Sequence, residues 1–223
     1  MSWHAPFLRE WKAKLVWGTM LHPVVGGLYW MTQSYPRRIP TEMVPTHLDN
    51  AIPFLPATAW LYQSLFLAMP LTFFLLRDGR EIRRFFWGIT GLCVAANLIF
   101  ILFPTTMIRP FPPTSWAYQH LILAIDGPGN AFPSLHAALG VFTFLCAWRT
   151  PGARWVRLVG IGWLMLLLIS TLTTKQHVLM DLAGGVILGG LCSIAAYSFG
   201  LNSGSWIAFP SMGKAKESGG NFR

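Results

Sequence analysis

The sequence predicts an all-α protein, a polytopic membrane bundle of six transmembrane helices. Hydrophobic residues make up 53% of the 223 residues and charged residues only 11%, whereas soluble proteins average roughly 25% charged residues. The chain also contains 16 Phe and 11 Trp residues. We expect a single transmembrane domain at residues 1–201, followed by a flexible cytoplasmic tail at 202–223.

The spans follow from runs of apolar residues, since a transmembrane helix needs about 20 of them. The first run is short and contains His22-Pro23. Five prolines in the connector 32–56 argue against a regular helix there. Trp, Tyr and His side chains in 116–125 are typical of a short helix at the membrane interface. The predicted spans are residues 15–31, 57–76, 85–103, 132–148, 158–172 and 177–201.

The positions of the basic residues predict the orientation. With six spans and a cytoplasmic N-terminus, 13 of the 17 Lys and Arg residues fall on the cytoplasmic side. The four on the other side are Arg37, Arg38, Arg109 and Lys175. Cytoplasmic loops of membrane proteins are enriched in Lys and Arg. We therefore expect both termini in the cytoplasm of a plasma (inner) membrane protein.

Several other classes of protein are disfavoured. The net charge of +9 resides in short loops and forms no basic stripe, so no nucleic-acid partner is expected. Cys93, Cys146 and Cys192 lie inside apolar runs, which fits packing residues and neither a zinc site nor a disulfide framework. No cleavage site follows the apolar run near Leu15, so we interpret it as a retained span.

The stretch Asn130-Ala-Phe-Pro-Ser-Leu-His136 opens the predicted fourth span. Pro133 suits the first turn of a helix, and Asn130 or Ser134 can cap it. Free N–H groups in that turn favour an anion, and His136 can transfer a proton near neutral pH. A phosphate site with an acid beside it is one interpretation; a polar helix start with an interfacial histidine is the other.

His177 and Asp181 form a second candidate site. Their spacing of four residues places them on one face of a helix. An aspartate in that position can fix the tautomer of its histidine and raise its basicity. In the predicted topology, the starts of the fourth and sixth spans, with both histidines, lie on the extracytoplasmic side. Arg109, Lys175 and Ser170 lie on that side too.

These residue types together suit phosphoryl transfer. His177, oriented by Asp181, can attack phosphorus, and His136 can protonate the departing oxygen. Arg109 and Lys175 supply positive charge for the phosphate, while Ser134 supplies a neutral donor. We expect these groups to converge on one anion pocket just beneath the outer surface of the bilayer.

Two motifs resemble signatures of the type 2 phosphatidic acid phosphatase superfamily, the lipid phosphate phosphatases. They are Phe132-Pro-Ser-Leu-His136 and Ser170-Thr-x5-His177-x3-Asp181. The residues at 126–136, 170–177 and 48–56 resemble those of the branch of this superfamily that contains inositol phosphorylceramide synthases.

This resemblance implies a six-span membrane enzyme that acts on lipid phosphates through a phosphohistidine. We expect the enzyme to need no cofactor and no metal. It implies His177 as nucleophile, Asp181 as its orienting partner, His136 as general acid and Ser134 as a phosphate donor. Of the usual first signature, Arg109-Pro110 is present, but Leu102 occupies the lysine position. Thr171 stands where an arginine usually follows Ser170, and Lys175 is the candidate replacement.

Alternative interpretations of the same residues remain. His177 and Asp181 could form a buried structural pair, or two ligands of a metal site. Asp49 and Asp126 suit caps or turns, and His47 and His120 suit the membrane interface. For the whole protein we expect hydrolysis of a lipid phosphate. The alternatives are a phosphotransferase of the inositol phosphorylceramide synthase type, and a non-catalytic membrane scaffold or lipid carrier.

Overall fold

The computed structural model describes residues 10–34, 38–109, 115–123, 126–150 and 154–198. Helices dominate this part of the chain, as predicted, and two two-residue strands pair in parallel. A 3-10 helix, Pro56–Thr58, and a π-type helix, Tyr118–Leu123, join the regular elements. The helices are α1 Trp11–Ser34, α2 His47–Ala51, α3 Ala59–Gln63, α4 Leu65–Leu75, α5 Gly79–Leu102, α6 Leu135–Arg149, α7 Arg154–Thr173 and α8 Leu179–Ser198. The strands are β1 Thr41–Glu42 and β2 Thr105–Thr106.

Three segments of the described chain are long and apolar enough to cross a membrane. They are Pro56–Leu75, Gly79–Leu102 and Leu179–Ser198, which match the predicted second, third and sixth spans. The chain is therefore a membrane protein. Helices also cover the predicted first, fourth and fifth spans, but α6 has only 15 residues and is about 22 Å long, short of the roughly 30 Å apolar core of a bilayer. The full set of six spans stays a prediction.

Several predicted boundaries were wrong. The predicted fourth span starts at 132, whereas α6 begins at Leu135 because Ser134 caps it; Pro133 therefore precedes the helix and is not in its first turn. The predicted sixth span starts at 177, but α8 begins at Leu179, so His177 lies before the helix. The proline-rich connector 32–56 contains the last turn of α1 and the short helix α2.

Two other predictions concern residues that lie partly or wholly outside the described part of the chain. Of the predicted interfacial helix 116–125, the structure has the π-type helix Tyr118–Leu123, and residues 124–125 lie outside the described part. The predicted tail 202–223 and the last residues of the sixth span lie outside it as well.

Helices α6 and α8 approach each other backbone to backbone. A Cβ atom at Gly185 would collide with the carbonyl oxygen of Ser134, and one at Gly189 with that of Ala138. Glycine at these positions lets the two backbones meet, as the pairs of glycines in the sequence predict. A Cβ atom at Gly190 would meet nothing within 4 Å. Gly185 and Gly189 therefore set the helix spacing, whereas Gly190 does not.

The apolar core surrounds this pair of helices. Phe142 of α6 is fully buried against Phe85 of α5, with ring centroids 6.0 Å apart. Phe85 meets Phe73 of α4 at 4.9 Å, edge to face. Residues of α1 join the same cluster. Because four helices pack around α6, its first turn has a fixed position at one end of the bundle.

We predict that Gly189→Ala lowers the free energy of unfolding by about 1–3 kcal/mol, because the added methyl must push two backbones apart. Gly190→Ala, the matched control one residue along, should leave it unchanged or slightly higher. Thermal unfolding of both variants in detergent, followed by size exclusion, measures the difference. Equal midpoints for the two variants would contradict the close contact.

Candidate active site

The first turns of α6 and α8 are joined directly. The backbone N–H of Ser134 donates to the carbonyl oxygen of Asp181 at 2.9 Å. The Ser134 hydroxyl accepts a hydrogen bond from the N–H of Ala137 at 3.3 Å and so caps α6. His136 follows in the first turn, as predicted. The start of one helix thus holds the start of the other, and the two motifs are neighbours in space.

His177 and Asp181 form a buried pair. Nδ1 of His177 lies 2.8 Å from Oδ2 of Asp181. His177 is 7% exposed and Asp181 fully buried. Oδ1 of Asp181 is buried and has no hydrogen-bond partner among the described residues. Because the carboxylate accepts from Nδ1, the proton of a neutral His177 ring is held there, and Nε2 keeps a free lone pair.

A tight loop between α7 and α8 presents His177. The N–H groups of Gln176 and His177 both donate to the carbonyl oxygen of Thr171, at 3.2 Å each. Lys175 has φ = 54°, the left-handed region that non-glycine residues rarely adopt. The fully buried Ser170 hydroxyl donates to the carbonyl of Leu167. The loop therefore fixes the position of His177, and Ser170 contributes to that fixed backbone.

Asp49 and Lys175 connect this loop to α2. The Asp49 side chain accepts from the N–H of Leu179, at 2.7 Å, and from the backbone and hydroxyl of Thr46. Lys175 donates through Nζ to the carbonyl oxygens of Asp49 and Ile52, at 2.7 and 2.5 Å. Burial alone would raise the pKa of Asp49, but the bonds from Thr46 and Leu179 and the nearby Lys175 hold it below its usual value. Asp49 is thus the N3 residue of the capping box of α2, whose N-cap is Thr46, and it also anchors the start of α8.

A cavity of about 410 Å³ lies beside this anchor. Its polar lining includes His177 and Lys175 together with three side chains from β1 and α2. Those three are Glu42, Asp49 and Asn50. The cavity is therefore a mixed-charge pocket with the candidate nucleophile in its wall.

His136 occupies a different environment. Its ring stacks on Tyr62, with centroids 3.8 Å apart and an angle of 22°, and meets Phe66 edge-on at 5.5 Å. Nε2 is buried, and no hydrogen-bond partner for it lies in the described part of the chain. His136 lines a second, mostly apolar cavity of about 230 Å³. The imidazole interacts electrostatically with Asp126, His177 and Arg109.

Asp126 is the centre of a buried polar network beside His136. Its two carboxylate oxygens accept from the hydroxyls of Tyr29 and Tyr62, at 2.5 and 2.6 Å. Arg109 donates to the carbonyl oxygens of Asp126 and Gly127, at 2.6 and 2.7 Å, and its Nη2 lies 3.8 Å from Asp126 Oδ1. Burial alone would raise the pKa of Asp126, but Arg109, His136 and both tyrosine hydroxyls hold it below its usual value.

The predicted residues therefore form two groups. His177 and Lys175 line the polar cavity, with Asp181 bonded to His177 behind the wall, and His136 lines the apolar one. Sequence reasoning expected one shared anion pocket. Arg109 contacts the Asp126 loop, Ser134 caps α6, and the Ser170 hydroxyl contacts its own helix. Among the described residues, no group of three His, Cys, Asp or Glu side chains is placed to hold a metal ion.

The sequence analysis missed three residues of this site. Tyr29 and Tyr62 were assigned no role, although a phenol hydroxyl in an apolar span needs a partner. That requirement predicts a hydrogen-bond partner for each tyrosine, but it does not predict that the partner is Asp126. Glu42 lies in a two-residue strand and pairs with Thr106. No local pattern in the sequence predicts that strand or the position of Glu42 in the cavity wall.

The comparisons with known proteins give one match. A family model described as the PAP2 superfamily matches residues 42–195, more than half of the chain. The matched range contains His136, His177, Asp181, Arg109 and Lys175, and it leaves out all of α1. No curated protein matches the chain.

We predict that Tyr62→Phe destabilises the protein by about 1.5–3 kcal/mol, because a buried carboxylate loses a donor. The pKa of Asp126 is lowered on folding, so its contribution is complete above about pH 4 and is lost as pH falls through the folded pKa. Removing one stabilising hydroxyl raises that folded pKa. Acid unfolding of Tyr62→Phe should therefore begin at a higher pH than that of the wild type.

Tyr118→Phe is the matched control, since Tyr118 is equally buried but its hydroxyl accepts from Gln176 at 3.2 Å. Its acid unfolding profile should stay close to that of the wild type. Tryptophan fluorescence against pH in detergent measures all three proteins. Coincident profiles for Tyr62→Phe and Tyr118→Phe would show that the bond to Asp126 carries no such contribution.

Proposed function

We propose that this chain, which belongs to the PAP2 superfamily, is a membrane lipid phosphatase that acts through a phosphohistidine. Membership makes it an enzyme of the phosphatase and phosphoesterase kind. The observation that supports the mechanism is the buried 2.8 Å bond between His177 and Asp181 in the wall of the 410 Å³ cavity. It orients an imidazole with Nε2 available to phosphorus.

In the proposed first step, Nε2 of His177 attacks the phosphorus of a lipid phosphate monoester. A P–N bond forms and the P–O bond to the lipid alcohol breaks. The released alkoxide oxygen needs a proton, and we assign His136 as the donor. Positive charge develops on the His177 ring as the bond forms, and the adjacent carboxylate of Asp181 stabilises it.

In the second step, water attacks phosphorus and the P–N bond breaks. The water loses a proton to the imidazole of His136, which returns to the state in which the cycle began. The products are inorganic phosphate and the lipid alcohol. No electron transfer occurs, and no group outside the described chain and water is required.

For the phosphate, Lys175 is the cation that shares a cavity with His177. We propose that its ammonium group turns from the carbonyls of Asp49 and Ile52 toward the bound anion. Arg109, Ser134 and Ser170 are the other proposed phosphate ligands. The Arg109 Nη groups and the two serine hydroxyls contact the protein in the structure, so phosphate binding by these groups requires an exchange of partners.

The distribution of Lys and Arg supports a six-span topology with both termini in the cytoplasm. We propose that the site acts on the extracytoplasmic leaflet of the plasma membrane. The starts of α6 and α8, which hold the candidate residues, then lie together at the outer end of the bundle.

Glu42 and Asn50 in the wall of the His177 cavity favour a second candidate, transfer of the phosphoryl or phospho-head group to an alcohol. A carboxylate and an amide can bind hydroxyl groups of an acceptor. This activity would resemble that of the inositol phosphorylceramide synthase branch. Free phosphate release that falls when a soluble polyol is added, with a new phospho-polyol as product, would favour transfer over hydrolysis.

We predict that His177→Ala lowers phosphate release from a lipid phosphate by a factor on the order of 10³ or more, because the nucleophile is lost. Asp181→Asn should lower it by up to about 10⁴, because the ring loses its orienting carboxylate. Purified wild type, quenched during turnover of a ³²P-labelled lipid phosphate, should carry an acid-labile label on His177.

His47→Ala is the matched control, since His47 is an exposed histidine on α2. It should keep wild-type turnover. If the His177→Ala variant still releases phosphate at the wild-type rate, His177 is not the nucleophile. Absence of turnover in the wild type with every lipid phosphate offered would favour a scaffold or lipid carrier.

We also predict that phosphate release continues at the wild-type rate in excess EDTA. The proposed steps use two imidazoles, a carboxylate and an ammonium group, with no ion as Lewis acid. Turnover measured after dialysis against chelator, with and without added Mg²⁺ and Zn²⁺, checks this. Activity that disappears in chelator and returns with one ion would favour a metal site at His177 and Asp181.

A further inference from the structure

The cavity beside His136 has features that its role as proton donor does not require. It lies between α1, the helical segment α3–α4 and α6 and has a volume of about 230 Å³. Its wall is largely apolar. The apolar or aromatic lining residues are Val25, Tyr29, Trp30, Tyr62, Phe66, Leu135 and Leu139. Such a wall suits a hydrocarbon chain better than a charged group.

Two polar atoms in this cavity have no partner within the described chain. They are Nε2 of His136 and Oε1 of Gln33, and both are buried. A buried polar atom without a hydrogen bond costs about 1–3 kcal/mol. A hydroxyl group can donate to the Gln33 oxygen and can bond to either tautomer of the imidazole. These atoms therefore favour an occupant with a hydroxyl at one end of an apolar body.

The rim of the cavity faces the surroundings of the bundle. Trp30 is 61% exposed, and Gly26, one turn away on α1, is exposed with nothing within 4 Å of a Cβ built on it. Both residues line the cavity. On a membrane helix this surface meets lipid, so a chain can enter sideways from the bilayer past Gly26.

We propose that this cavity binds the hydrocarbon chain of the lipid substrate, with the alcohol oxygen at His136 and Gln33. This inference rests on the proposed function and adds a specificity-determining position, Gly26. The hydrogen bond from the Ser134 N–H to the Asp181 carbonyl places the start of α6, with His136, beside the His177–Asp181 pair. A phosphate in the polar cavity and a chain in the apolar one can therefore belong to one molecule. The substrate class is then a phosphate ester of a long-chain alcohol.

Gly26→Leu is the decisive variant. The open space around Gly26 lets a leucine fit without displacing the protein, and it would occupy the cavity. Gly27→Leu is the matched control, because Gly27 also has nothing within 4 Å but does not line the cavity. Both changes replace a glycine in the interior of α1, so their effects on helix stability should be similar.

The probe is a long-chain alkyl alcohol that carries a photoreactive diazirine on its chain, added to vesicles containing the protein. We expect crosslinks on Val25, Trp30, Phe66 or Leu139 in the wild type and in Gly27→Leu. In Gly26→Leu we expect them to fall at least about fivefold. Turnover of alkyl phosphates of increasing length should show a KM that rises for long chains in Gly26→Leu only, with kcat for short chains retained.

The outcomes separate this inference from the proposed function. Crosslinks that are unchanged in Gly26→Leu, or that map elsewhere, would overturn the chain site even when the wild type releases phosphate. If the crosslinks are lost in Gly26→Leu but the wild type releases no phosphate, the lipid site is upheld and the proposed phosphatase activity is overturned.

Discussion

The approach of α6 and α8 is the constraint on which the rest of the site depends. Gly185 and Gly189 bring their backbone against the carbonyls of Ser134 and Ala138, and the N–H of Ser134 donates to Asp181. The same two turns carry His136 and the partner of His177. A shift of one helix along the other would therefore move both histidines relative to any shared ligand. Packing of small residues thus sets the geometry available for chemistry.

Three buried carboxylates near these helix starts are satisfied in different ways. Asp126 accepts from two tyrosines beside Arg109, and Asp49 accepts from a cap and from the start of α8. Among the described residues, the Asp181 carboxylate bonds only to His177, through Oδ2, and its Oδ1 has no partner. Most buried side-chain polar atoms in proteins have at least one hydrogen-bond partner. The unsaturated one is therefore the carboxylate whose charge acts on a single imidazole.

Local patterns in the sequence were sufficient for the helices, for the cap at Ser134 and for the pairing of His177 with Asp181, because each depends on residues a few positions apart. The close packing at Gly189 was also predicted. The attachment of Lys175 to α2 and of Arg109 to the Asp126 loop was not, since carbonyl acceptors carry no signature in the sequence. The stacking of His136 on Tyr62 joins positions 74 residues apart, and no periodicity predicts such a contact. Longer-range geometry thus turned one expected pocket into two cavities.

The two cavities have opposite character, and that division has a consequence for the reaction. A phosphate ester of a long-chain alcohol is itself divided, with charge at one end and hydrocarbon at the other. If its chain lies beside His136, the alcohol leaves toward the bilayer, and the polar cavity around His177 stays open to water or to a hydroxyl acceptor. The departing alcohol and the incoming nucleophile then use separate routes. Under the proposed function, the choice between hydrolysis and transfer then depends on whether Glu42, Asn50 and Lys175 bind water or an alcohol in the polar cavity, and not on the residues proposed to bind the hydrocarbon chain.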